Sequence, residues 1–177
     1  MALKPTIYKF TISLSDLNSN YYDTLNLTVA QHPSENLERM MARVMAYCLN
    51  AQESLVFTKG LSEPDVPDIW VRTLDDQVAL WIDVGEPALE RIKKATRLAQ
   101  EVRVYSFNAK SDVWWDQSRT KFAALPVQVF RFDTDAITRL ASLVQRGMNL
   151  SVTITGDSAF VATEGGECEL EWVVLQA

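Results

Sequence analysis

Two aspartates stand where acid chemistry can be done. Val78-Ala79-Leu80-Trp81-Ile82-Asp83-Val84-Gly85 reads as a strand apolar on both faces, the pattern of an interior strand, with Asp83 near its end. An unpaired charge buried there costs several kcal/mol, a large share of a domain's net stability. Asp83 is therefore paired, protonated, or held at the strand's open end to bind something. A second acid, Asp68, lies earlier in Pro67-Asp68-Ile69-Trp70-Val71. Acids on successive strands of a hairpin meet across the ladder, where like charges repel unless a cation lies between them.

The elements that must position these acids are legible from periodicity. Residues 6–14 alternate at period two, Asp16-Leu17-Asn18-Ser19-Asn20 is turn chemistry, and residues 22–29 alternate again, so the chain opens with a long hairpin. His32-Pro33-Ser34 marks a boundary, with Ser34 or His32 expected as N-cap and Glu35 in the first turn of a helix over residues 35–50. That helix buries Leu37, Met40, Met41, Val44, Cys48 and Leu49 at helical spacing. A short strand at Leu55-Val56-Phe57 precedes the Asp68 and Asp83 strands. Gly85-Glu86-Pro87 then starts a second helix, with Pro expected near its first position. The next strand, residues 101–107, completes a strand–helix–strand unit of the kind that makes a right-handed parallel crossover. The remainder reads as helix 111–122, strand 127–132, helix 135–146 and strands 150–155, 159–163 and 168–175. The expected fold is mixed α/β, a helix–hairpin–helix–strand centre between β-rich ends, in one domain over residues 1–177.

Composition narrows the chemistry. At 177 residues, 47% hydrophobic and 23% charged, the chain has the make-up of a soluble globular protein. No apolar run approaches the ~20 residues of a membrane span, and Met1-Ala2-Leu3-Lys4-Pro5-Thr6 has no apolar signal core, so a cytoplasmic setting without membrane contact is expected. A net charge of -6 argues against affinity for nucleic acid through a broad basic surface. The single histidine excludes multi-histidine zinc sites, and Gly-rich phosphate loops and Gly-x-Ser-x-Gly elbows are absent. Cys48 and Cys168 suggest neither a disulfide framework nor a zinc motif. Carboxylate chemistry is what remains.

In order, the chain presents a helix with Glu35, a short strand, the Asp68 strand, the Asp83 strand, a helix with Lys93 and Lys94, and a strand through Tyr105. This α-β-β-β-α-β order with acids on its second and third strands resembles the PD-(D/E)xK nuclease core. Pro67-Asp68 stands where that superfamily has Pro-Asp, and Asp83-Val84-Gly85 where it has (Asp/Glu)-x-Lys, with Gly85 in place of the lysine. Lys93, on the edge of the second helix's apolar stripe, can snorkel back toward the strand ends, whereas Lys94 points away from that stripe.

The whole chain also resembles the YaeQ family of small bacterial proteins. The most specific stretches are Met1-Ala2-Leu3-Lys4 running into Ile7-Tyr8-Lys9, then His32-Pro33-Ser34-Glu35, Glu38-Arg39-Met40-Met41, Trp81-Ile82-Asp83-Val84-Gly85, Arg91-Ile92-Lys93-Lys94-Ala95 and Trp114-Trp115. The resemblance implies a PD-(D/E)xK-like fold with a second sheet, in bacterial cytoplasm. Through the nuclease-like core it implies that Asp68, Asp83 and the Val84 carbonyl hold one Mg²⁺, with Mn²⁺ as a substitute and Glu35 as a third carboxylate. Lys93 would orient the attacking water or neutralise charge on the phosphate of DNA or RNA, and Arg39, Arg43, Lys94 and His32 would contact that substrate.

Each of these residues also has a structural role open to it. Asp83 can pair with an arginine, Glu35 with the helix dipole and with Arg39 one turn on, and His32 beside Pro33 can close a turn. Lys93 and Lys94 fit a solvated helix face. Trp114 and Trp115 cannot both face the core of one helix, and a tryptophan near a cleft could stack on a base. Beside the metal-dependent phosphodiesterase therefore stands a non-catalytic binding or regulatory protein that keeps the nuclease-like fold, with Asp83 locked to an arginine. A third reading is an interaction protein using its β-edges on a protein partner of unknown identity.

Overall fold

The computed structural model describes residues 4–177, so the Met1-Ala2-Leu3 part of the resemblance lies outside the described residues. The chain opens with the expected hairpin of β1 (Thr6–Asp16) and β2 (Tyr21–Gln31). Its alternation buries Tyr8, Phe10, Ile12 and Leu14 on one strand and Leu25, Leu27 and Val29 on the other. The first helix, α1 (Leu37–Leu49), is capped by Asn36, whose side chain accepts the Arg39 N–H at 2.8 Å. Ser34 and His32 are not the cap, because the turn they form uses their polar groups internally. The Ser34 N–H donates to His32 Nδ1 at 3.0 Å and the Glu35 N–H to the His32 carbonyl at 2.8 Å.

The centre follows as β3 (Leu55–Phe57), a 3-10 turn at Gly60–Ser62, β4 (Ile69–Arg72), β5 (Val78–Val84), α2 (Leu89–Leu98) and β6 (Ala99–Ser106). Pro87 lies outside α2, which starts after Ala88. Strands β4 and β5 are antiparallel with Ile69 opposite Ile82, and β5 and β6 are parallel with Val84 opposite Tyr105. The chain closes with α3 (Ser111–Phe122), β7 (Val127–Phe132), α4 (Thr134–Ser142), β8 (Gly147–Thr155), β9 (Ser158–Thr163) and β10 (Gly166–Gln176). Helix α4 stops short of residue 146 because that segment already serves the sheet: the Arg146 carbonyl accepts the Lys9 N–H at 2.8 Å.

The resemblance implies a second sheet, but the extra strands do not form one. They join the central strands in one ten-stranded sheet of order β2-β1-β8-β9-β10-β7-β6-β5-β4-β3. The cause is β10, whose residues 166–171 pair with β9 and whose residues 172–176 pair with β7. The sheet curls into a near-closed, barrel-like shape, and residues from both its arms share one core with α1 and α4. On the outer side α2 and α3 cover Trp81, Val102, Val104, Val127 and Val129. Trp114 and Trp115 both pack, half-buried, around Phe122 in that layer, and the Trp114 indole donates to the Pro87 carbonyl at 3.0 Å.

Period two along β5 has a direct consequence for the acids. Leu80, Ile82 and Val84 join the α1 side, whereas Trp81 joins the α2 side and Asp83, two residues on, shares its face. In urea denaturation, Asn36→Ala should lower stability by ~1 kcal/mol through the lost cap. Leu170→Ala, at the fully buried centre of β10, should lower it by ~2–5 kcal/mol.

Candidate functional site

The sequence acids converge where β4 and β5 end. Asp68 precedes β4, one step beyond the Ile69–Ile82 pair, and so lies across from Asp83. Its own N–H donates to the Ile82 carbonyl at 3.1 Å, and its Oδ2 accepts the Val84 N–H at 2.8 Å. Gly60 closes the 3-10 turn over it with φ +50°, where an added Cβ would come within 3.2 Å of Asp68 Oδ1. Gly85 takes the chain out of β5 at φ +119°, a conformation that L side chains rarely adopt. A lysine at that position would be strained by the backbone, although the space beside it is open.

Burial then dictates partners. Glu35, Asp68 and Asp83 are all buried, and each is met by arginine. Arg39, from the first turn of α1, donates from Nη1 to Glu35 Oε2 at 2.6 Å and from Nη2 to Asp68 Oδ1 at 2.7 Å and to the Val84 carbonyl at 3.2 Å. Arg43, one turn further, embraces Glu35 through Nε at 2.8 Å and Nη2 at 2.7 Å, and also donates to the Ala30 carbonyl. Arg91 of α2 grips Asp83 with a fork, Nε to Oδ2 at 2.7 Å and Nη2 to Oδ1 at 3.1 Å. The same guanidinium donates to the carbonyls of Pro64 and Val66, tying the loop after the 3-10 turn to the strand end.

The electrostatics follow from this packing. Burial pushes the Asp83 carboxyl above its ordinary value and nearby Asp68 adds to the push, while the bonds and charge of Arg91 hold it back. Burial disfavours the charge of Arg39, yet Asp68 and Glu35 together raise that group and keep it protonated. The bond to Asp83 raises Arg91. Burial alone lifts the Cys48 thiol to about 12, which makes it inert.

Of the other residues singled out by the sequence, His32, Arg39 and Arg43 line a cavity of about 340 Å³ together with Glu35 and Asp68. Arg39 and Asp68 also line a second cavity of about 420 Å³ with Asp83, the Val84 segment and Arg91. One ion pair thus stands between two chambers. Lys93 lies outside both, half-buried and 3.9 Å from Glu90, and Lys94 pairs at 3.2 Å with exposed Asp65. Sequence reasoning missed Arg91 as the partner of Asp83, although it sits in the quoted Arg91-Ile92-Lys93-Lys94 stretch. It also missed Glu86, whose Oε2 is shielded from solvent and without a donor among the described residues.

A carboxyl raised by folding stabilises the fold fully below its unfolded value and loses that contribution as pH rises through its folded value. Urea denaturation of wild type and Asp83→Asn, compared from about pH 4 to about pH 8, should therefore show wild type losing stability relative to the variant as pH rises. A gap that stays constant would contradict the assigned direction.

The family model described as YaeQ protein matches residues 1–172. The Uncharacterized protein YaeQ of Escherichia coli (strain K12) is 37% identical over 180 aligned positions, covering 99% of this chain and 98% of that protein. The protein of the same name from Salmonella typhi is 36% identical over 178, again covering 99% and 98%. The crystal structure of YaeQ protein from Xanthomonas axonopodis pv. citri superposes with a TM-score of 0.95 at 34% identity, covering 98% of this chain and 99% of that one. That of YaeQ protein from Pseudomonas syringae gives 0.93 at 32%, covering 98% and 97%. With likeness in sequence and structure along nearly its full length, this chain belongs to the YaeQ family.

Proposed function

We propose that the chain is a non-hydrolytic binding protein on a nuclease-like scaffold, and that the two-chambered cleft around Arg39 and Asp68 is where it binds. The observation that carries this reading is the pairing of all three buried acids with guanidinium groups: Glu35 with Arg39 and Arg43, Asp68 with Arg39, Asp83 with Arg91. Each carboxylate oxygen of the three accepts at least one donor. Mg²⁺ demands a near-octahedral set of oxygens at ~2.0–2.1 Å. Here the same lone pairs are directed at N–H groups, and the described residues contain no cluster of three acid, histidine or cysteine side chains arranged to hold a metal. The donor set does not fit the ion.

The metal-dependent phosphodiesterase of PD-(D/E)xK type draws support from a specific fact. Glu35, Asp68, Asp83 and the Val84 carbonyl open on the same cleft, in the α-β-β-β-α-β order of that core. It requires Arg39 and Arg91 to release their carboxylates. It also requires a lysine from elsewhere, since Gly85 has none to offer and Lys93 lies against Glu90.

Calorimetric titration decides between the two. Under the binding reading, wild type takes up neither Mg²⁺ nor Mn²⁺ saturably at millimolar concentration, and saturable uptake lost in Asp83→Ala would overturn it. In the same preparation Arg91→Ala should be destabilised by ~3 kcal/mol or more in urea, because it leaves the Asp83 carboxylate buried without its partner.

A further inference from the structure

We infer that the chamber between the end of β2, α1 and the Gly60–Ser62 turn binds a small organic monocarboxylate. The inference deepens the binding reading above and rests on it, since it requires the acids of the cleft to stay clamped by arginine.

The chamber's carboxylate oxygens are each engaged already. Glu35 Oε1 takes Arg43 Nη2, Glu35 Oε2 takes both Arg39 Nη1 and Arg43 Nε, and the two Asp68 oxygens take Arg39 Nη2 and the Val84 N–H. Its donors are not. Among the described residues Arg39 Nε and Arg43 Nη1 have no acceptor. His32 adds a third. The Ser34 N–H points at its Nδ1, so in the neutral ring the proton sits on Nε2, for which no described residue supplies an acceptor. None of these three nitrogens is sealed away, since among the side chains of the described residues only Trp81 Nε1 and Glu86 Oε2 are both shielded and unpartnered. A cavity whose carboxylate oxygens are each engaged and whose lining residues keep unpartnered N–H groups is complementary to an anion.

Charge and lining refine the class. Arg39 and Arg43 balance Glu35 and Asp68, and the cation at the mouth is exposed Lys59, whose ammonium lies 3.4 Å from exposed Glu63 and is free to turn to a monoanion. Arg43 is almost wholly buried, its guanidinium 5.4 Å from the Phe57 ring centroid, so its position does not depend on a ligand. Pro5, Ala30, Pro33 and Leu61 supply apolar wall, room for a hydrocarbon body behind the carboxylate. The volume of about 340 Å³ falls at the lower end of the ~300–1,000 Å³ of small-ligand sites.

Hexanoate, inorganic phosphate and hexylammonium test this, each titrated into the full chain by calorimetry with a divalent chelator present. Hexanoate should bind saturably, inorganic phosphate more weakly for want of an apolar body, and hexylammonium not at all. Lys59→Glu, an exposed change at the chamber mouth, should weaken hexanoate by about tenfold or more. His32→Ala should weaken it as well. Lys94→Glu, the same charge reversal outside both chambers, should leave it unchanged. No saturable hexanoate binding, phosphate binding as tight as hexanoate, or equal loss in Lys59→Glu and Lys94→Glu would each overturn the inference. If hexanoate binds only when Mg²⁺ replaces the chelator, the metal-free reading of the cleft falls with it. If neither hexanoate nor Mg²⁺ binds, this inference alone falls.

Discussion

Three carboxyl groups can be buried within one cleft only if each meets an opposite charge or keeps its proton, because an unpaired buried ion costs several kcal/mol, a large share of a fold's net stability. That condition ties together parts of the chain that lie far apart in sequence. Glu35, Arg39 and Arg43 come from the entry and first turns of α1, Asp68 from the approach to β4, Asp83 from the end of β5 and Arg91 from α2. A buried ion pair adds little stability over a well-packed apolar pair, yet losing one partner is severe. The network therefore acts mainly on geometry: it specifies where α1 and α2 sit against the strand ends, and Arg91 sets the loop at Pro64 and Val66 relative to both.

The cleft lies where it does because strands must end somewhere, and their last backbone groups still need partners. At the end of β5 the Val84 N–H goes to Asp68, its carbonyl to Arg39, and the Gly85 N–H to the Tyr105 carbonyl. Side chains thus complete a ladder that the neighbouring strand no longer extends. The rest of the sheet keeps this rim rigid. By pairing with β9 over its first half and β7 over its second, β10 makes a single curled surface, and the core formed by both arms grips α1 from within.

Local pattern made much of this legible. Period-two alternation exposed the opening hairpin, helical spacing exposed α1 and α2, and an aspartate in an apolar strand marked the cleft. What pattern could not supply was partner identity. The eleven residues of β10 alternate as any half-buried strand does, and nothing in the alternation says that the two halves pair with different neighbours. The apolar stripe of α2 favours Lys93 over Lys94 as the cation, and that comparison leaves Arg91 out. The chain, however, doubles back through Gly85-Glu86-Pro87, which brings the first turn of the helix, not its middle, beside Asp83. The cap was missed for a related reason: Ser34 has the right chemistry, but Pro33 and His32 draw it into a turn of their own, and Asn36 takes the role.

On the binding reading proposed above, arginine in place of a metal changes what such a cleft can recognise. A cation bound by two aspartates leaves open coordination positions directed at a phosphate. A guanidinium uses its planar fork to satisfy the carboxylate and keeps its remaining N–H groups for something else. Arg39 illustrates the difference: Nη1 and Nη2 are engaged by Glu35, Asp68 and the Val84 carbonyl, whereas Nε is not. Acids that suggest a cation site when read from the sequence thus have every oxygen engaged by an N–H group. The polarity available to a ligand is inverted, with free donors on one side of the Arg39–Asp68 pair and the unpartnered Glu86 oxygen among the described residues near the other. A cleft built in this way selects by which hydrogen-bonding capacity the protein has left unused, and the residues that consume the rest are as decisive as those that face the ligand.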